Sequence, residues 1–264
     1  MYLSQKHKII YFGPCKAASS TVIMTLECFY NAKGVNAPEG YIQEDQRSWP
    51  VSAHHSIFLP EEFADFYKFT TCRNPYNREL SKYNFLSYQH ATAPKIAKLT
   101  AKRTFEEHID WVCSGNIKND YKTDLWIRSQ KDIIFGQPIY PNCIPVTVDR
   151  ILKTENLTEQ FETLPFYIEN TNTILKGRNN FARYPRQTYF PKKLIDKFYE
   201  HFKEDFEFFQ YDKEPPEYEV CAGEKIKMVR TKIISPNSGT KYVTTNLDSD
   251  TIQQLEAKNT IKLL

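Results

Sequence analysis

A tight glycine-proline loop between an apolar run and an apolar helical pattern constrains this chain more than any other feature. Residues 8–12 read KIIYF, a short buried strand by their unbroken apolar run, and residues 21–30, TVIMTLECFY, keep apolar side chains at helical spacing. Only GPCKAASS lies between, so the order is strand, loop, helix. The first turn of a helix has unpaired backbone N–H groups and a partial positive charge, which together favour an anion. Ala17, Ala18, Ser19 and Ser20 are small enough to leave those amides uncovered. Ser19, Ser20 and Thr21 add hydroxyl donors, and Lys16 adds a full charge. Such a loop suits a phosphate or sulfate group; on this stretch alone, a serine-capped helix following a buried strand is the competing explanation.

The pattern of strand followed by helix continues. VSAHHSIFL (51–59), FADFYKFTTC (63–72), KDIIF (131–135) and CIPVTV (143–148) have the apolar, β-branched character of strands. RNPYNRELSKYNFLSY opens a helix, with Asn74 as N-cap and Pro75 at the first helical position. Helices are also predicted from Thr104 to Val112, over ENLTEQFETL (155–164) and over LIDKFYEHFKEDFEFFQYD (194–212). Strands alternating with helices predict an α/β fold, a mostly parallel sheet with helices on both faces and its ligand at the carboxyl ends of the strands. The character changes near residue 213. KEPPEYE suits a linker, KIKMVRTKIISPNSGTKYVTTNL two strands joined by a turn, and DSDTIQQLEAKNTIKLL a short helix. The expected domains are therefore 1–212, carrying the chemistry, and 213–264, a small β-hairpin plus helix extension.

Among 264 residues the net charge is only +3, which gives no reason to expect a nucleic-acid partner. The charge is unevenly placed: residues 171–193 carry Lys176, Arg178, Arg183, Arg186, Lys192 and Lys193 with no acid. That run is either a solvated face or, with Phe181, Tyr184 and Tyr189 interleaved, a surface on which a base stacks. No segment approaches the roughly 20 apolar residues of a membrane span. The first strand begins too early for a signal peptide, so the expectation is a cytoplasmic protein, bacterial or viral, with a Golgi-lumenal domain lacking its anchor as the alternative. The six cysteines form no C-x-x-C pair, so free thiols and no metal site are expected. The sequon at Asn156 carries no weight in a cytosol.

CRNPYNRELSKY offers a second anion site. Arg73 ends a strand, where its guanidinium can take an anion bidentately, and Ser81 follows eight residues later in the next helix, where its hydroxyl can add a donor. Alternatively, Arg73 is a surface residue and Ser81 fills a helix.

Taken in order, the two stretches resemble the PAPS-dependent sulfotransferases, particularly the carbohydrate branch that acts on glycosaminoglycans. The family holds the 5′-phosphosulfate of 3′-phosphoadenosine 5′-phosphosulfate (PAPS) on P-K-x-[GA]-[SC]-[ST]-[STN] and its 3′-phosphate on R-[DN]-P-[YF]-x-R-x-x-S-x-Y. Here these read CKAASST and RNPYNRELSKY. The resemblance continues through FEEHIDWV, VDRILKTENLTEQF and YPRQTYFPKKLIDKFYEHFKEDFEFFQYD, and spans nearly all of residues 8–212. Two positions depart from it: Cys15 stands where proline is usual, and Leu125 in DLWIRSQ stands where many relatives have histidine. The second departure bears on acceptor recognition more than on the nucleotide.

The resemblance implies a P-loop-like central parallel sheet flanked by helices and metal-free sulfuryl transfer from PAPS to an acceptor hydroxyl, most simply on a carbohydrate, with PAP as product. It implies nucleotide contacts at Lys16, Ala17, Ala18, Ser19, Ser20, Thr21, Arg73 and Ser81, with Lys16 also catalytic. Lys176, Gly177 and Arg178 resemble a K-G-R element that closes over the nucleotide in heparan sulfotransferases, and Arg186 matches the arginine of the family's PYR segment. Attack by a hydroxyl needs a proton acceptor, and AHHSIFLPEEF supplies two adjacent histidines, of which only one can face the cleft from an extended strand. Alignment to the glycosaminoglycan 2-O-sulfotransferases selects His55, with His54 as fallback. Two other functions remain open: a non-catalytic PAP-binding protein of the same fold, and a nucleotide kinase. The kinase lacks G-x-x-x-x-G-K-[ST] here, although Asp149 could serve it as a magnesium carboxylate.

Overall fold

Strand β2 (Ile9–Phe12) is buried along its whole length, and its alternating side chains enter two different cores. In a computed structural model of the chain, which describes residues 1–35, 63–92, 103–114, 127–135, 147–169, 171, 187, 189–216, 229–235, 239–245 and 261–263, this strand is the centre of a sheet. The other strands of that sheet are β1 (Tyr2–Ser4), β3 (Lys33–Gly34), β4 (Tyr67–Cys72) and β5 (Arg150–Lys153). Among the described residues, the five pair in the order β3-β1-β2-β4-β5. β2, β4 and β5 run parallel, with Phe12 opposite Thr70 and Cys72 opposite Lys153. β1 and β3 add an antiparallel edge.

Ile9 and Tyr11 pack with Val22, Ile23 and Leu26 of α1 (Ser19–Phe29) and with Leu157 and Phe161 of α5 (Leu157–Glu162). Ile10 and Phe12 face the other way, onto Ile134 of α4 (Gln130–Phe135) and Phe209 of α7 (Lys203–Phe209). Helices therefore cover both faces, as a parallel sheet requires. A third core joins Tyr76 and Leu80 of α2 (Pro75–Thr92) to Ile109 of α3 (Phe105–Cys113) and Phe198 of α6 (Ile195–His201). Asn74 caps α2 as expected, its side-chain oxygen accepting from the N–H of Tyr76 and Asn77. Thr104 and Glu107 form a reciprocal capping box on α3.

The secondary structure differs from the sequence reading at several points. KDIIF lies in helix α4 rather than a strand, because the Asp205 carboxylate accepts from the N–H groups of Gln130 and Lys131 and the Ser129 hydroxyl from that of Asp132. Of the strand expected over CIPVTV, the described residues Thr147 and Val148 are not in a strand, and β5 begins at Arg150. Residues 143–146 lie outside the described residues, and pairing with β4 begins where Asp149 exchanges hydrogen bonds with Lys68.

The single helix predicted over residues 194–212 is two, α6 and α7, meeting at Phe202, whose backbone is not helical. The antiparallel edge strand β1 has no counterpart in the sequence reading. In the C-terminal stretch, β6 (Val229–Ser235) and β7 (Gly239–Thr245) form the expected hairpin, with Ser235 opposite Gly239. Ile261–Leu263 pairs antiparallel with β6 as β8, where the sequence predicts helix. The strand predicted over residues 51–59 lies outside the described residues. No helix among the described residues is long and apolar enough to cross a membrane.

Candidate functional site

Parallel pairing of β2 with β4 brings their carboxyl ends side by side, so the loop after Phe12 and the turn after Cys72 lie at the same end of the sheet. The Thr70 hydroxyl donates to the Phe12 carbonyl at 2.7 Å, and the Thr71 hydroxyl to the Ala17 carbonyl at 2.6 Å. Thr71 is in turn 2.9 Å from the Tyr11 hydroxyl. These contacts tie the loop to both strands beneath it.

Within the loop, Lys16 (φ 63°) and Ala18 (φ 58°) hold left-handed backbone on either side of Ala17. Left-handed residues cost non-glycine side chains about 1–2 kcal/mol each, and alternation of this kind turns successive N–H groups into an anion-binding concavity. Ala18 is the N-cap of α1 and no side chain caps the helix, so Ser19 and Ser20 are its first helical residues rather than its caps. Ala17 and Thr21 are buried, Lys16, Ala18 and Ser19 half-buried, and Ser20 exposed. The loop packs closely on the helix: a Cβ at Gly13 would lie 3.0 Å from the Ser19 Cβ.

Arg73 reaches this loop. Its Nη1 donates to the Lys16 carbonyl at 3.4 Å, joining the two sequence stretches across 57 positions. The Lys16 ammonium lies 4.2 Å from the centre of the Phe85 ring on α2. Arg78, also on α2, donates from Nε to the Cys15 carbonyl at 3.3 Å. Arg78 and Phe85 thus mark the row of α2 that faces the loop, and Ser81, three residues on from Arg78 and four before Phe85, lies on that row.

Several residues that organise the site were not singled out from the sequence. Arg78 is buried, and its Nη1 donates to the Arg128 carbonyl while its Nη2 finds no partner among the described residues. Gln130 pairs with the backbone of Arg73 through both ends of its amide. Glu155 accepts from the Asn74 N–H and from the Tyr211 hydroxyl. The R-x-x-S spacing of the second motif could have drawn attention to Arg78; the others depend on tertiary contacts. On α2, Glu79 lies 2.5 Å from the Lys82 ammonium and 2.6 Å from His108 Nε2, a buried ionic cluster. Burial alone would raise the Glu79 carboxyl, but the Lys82 ammonium and the His108 hydrogen bond outweigh it and bring it down to about 2.

A model of the sulfotransferase family matches residues 1–212. The chain belongs to the sulfotransferase family. No curated protein and no solved structure matches it. Membership makes sulfuryl transfer to a hydroxyl-bearing acceptor the class of reaction.

In this sulfotransferase His54, His55, Lys176, Gly177, Arg178 and Arg186 lie outside the described residues, as does Leu125. Next to Arg186, Gln187 is held on α2: its N–H donates to the Asn84 side chain, and Asn84 donates to the Gln187 carbonyl. Asp149 sits at the opposite end of the sheet from the loop, beside Lys68 near the start of β4, where it cannot serve a phosphate held at residues 16–21. Among the described residues no group of His, Cys, Asp and Glu is arranged to hold a metal.

Proposed function

We propose that this sulfotransferase moves a sulfuryl group from PAPS to a hydroxyl on a carbohydrate. The observation that supports the reading is the contact between the Arg73 guanidinium and the Lys16 carbonyl, because it brings together the two stretches whose residues suit an anion. The left-handed backbone at Lys16 and Ala18 and the uncapped start of α1 suit a bound anionic group. When bound, PAPS supplies the sulfuryl group and PAP is left behind.

On this reading residues 16–21 hold the 5′ end of the nucleotide, and Lys16 neutralises charge that develops on the departing phosphate. Arg73 and Ser81 hold the 3′-phosphate. Lys176, Gly177, Arg178 and Arg186 cover the nucleotide. His55, or His54 in its place, accepts the proton of the attacking hydroxyl. We read the enzyme as cytoplasmic, and the thiols of Cys72 and Cys113 suit a reducing compartment.

Thermal denaturation tests the nucleotide site. A ligand that binds only the folded state raises Tm by mass action, so PAP is expected to raise it and ATP with magnesium to do so much less. Equal shifts from both, or none from PAP, would contradict the proposal.

A further inference from the structure

Arg73 has no freedom to choose its backbone direction, because one side chain reads both of its peptide groups. The Arg73 N–H donates to Gln130 Oε1 at 2.8 Å, and Gln130 Nε2 donates to the Arg73 carbonyl at 2.7 Å, as the peptide of a neighbouring strand would. Gln130 is fully buried and is itself fixed: its N–H donates to the buried Asp205 carboxylate at 2.7 Å, and the Lys131 N–H donates to the other oxygen at 2.8 Å. A rigid relay therefore runs from α7 through the start of α4 to the residue that follows β4.

The geometry points to Gln130 as the positioning residue that aims Arg73, and hence as a determinant of the preference for a nucleotide bearing a 3′-phosphate. This rests on Arg73 taking that phosphate, as proposed above. The chemistry singles out glutamine at this position. A reciprocal pair needs one donor and one acceptor on the same planar group; glutamate offers acceptors only, and asparagine is shorter by one carbon–carbon bond, about 1.5 Å.

The test is titration calorimetry on the full chain with PAP and with adenosine 5′-monophosphate, which differ only in the 3′-phosphate. Gln130→Ala is expected to weaken PAP tenfold or more while changing adenosine 5′-monophosphate by less than about threefold. A merely structural role would weaken both alike, and that result, or an unchanged preference, would overturn the inference. Gln130→Glu keeps the acceptor and loses the donor, so it should lower the preference for PAP at least threefold; it carries the test should the alanine variant not fold, and an unchanged preference there overturns the inference equally. Arg73→Ala separates the two levels. If it abolishes the preference and the Gln130 variants do not, the inference alone fails; if it leaves the preference intact, the assignment of the 3′-phosphate fails with it.

Discussion

Lys16 and Arg73 meet at a carbonyl, and the residues around them divide between those that would touch a ligand and those that hold the ligand-binding groups in place. The first kind is legible in sequence because it recurs as short motifs: small residues behind a lysine, and an arginine eight positions before a serine. The second kind is not, since Gln130 and Glu155 become partners of the Arg73–Asn74 turn only once the sheet has formed. At this scale Arg73→Ala should weaken PAP far more than adenosine 5′-phosphosulfate, by about 1.5–3 kcal/mol for a lost charge-assisted contact, measurable by calorimetry. Similar losses for both would place Arg73 elsewhere. His55→Ala should leave PAP affinity within about threefold while turnover falls about a hundredfold, as for loss of a general base. His54→Ala is the control, and a larger defect there would transfer the role.

The elements are legible where periodicity is local and obscure where a distant group decides. α1 follows its apolar spacing, and α2 and α3 follow their spacing and caps. α4 reads as a strand because IIF is apolar with two β-branched residues, whereas the carboxylate that satisfies the N–H groups of Gln130 and Lys131 belongs to Asp205, 75 and 74 positions away in sequence. The buried Glu79–Lys82–His108 cluster joins α2 to α3, and it makes α2 sensitive to acid. Removing one partner of a buried pair leaves the other uncompensated, so Glu79→Gln should lower stability at neutral pH by about 3–5 kcal/mol in denaturant titration. The sign of the pH dependence follows from a carboxyl held at about 2 against an ordinary 4.5: its contribution is present above 4.5 and is lost as pH falls towards 2. Stability of the parent should therefore fall through that window more steeply than that of Glu79→Gln; parallel curves would show that Glu79 does not carry the effect.

For the molecule as a whole, the alternation of strands and helices is enough to foresee a parallel α/β sheet, while the antiparallel edge of β1 and β3 is too short to announce itself. We propose that residues 213–264 are a linker and small C-terminal extension added to the nucleotide-binding unit. The Lys213 carbonyl accepts from the buried Tyr76 hydroxyl, and Lys213 pairs with Asp196, so a truncation should follow Pro216 rather than residue 212. A chain ending at Pro216 is expected to keep its PAP affinity within about threefold by calorimetry, a difference of less than about 0.7 kcal/mol; loss of binding would make the extension part of the site. The central claim is the transfer itself. Incubation with labelled PAPS and a panel of hydroxyl acceptors, carbohydrates foremost, followed by mass detection, is predicted to yield a sulfated product with the parent and little or none with Lys16→Ala; binding of PAP without transfer to any acceptor, or equal product from Lys16→Ala, would contradict it.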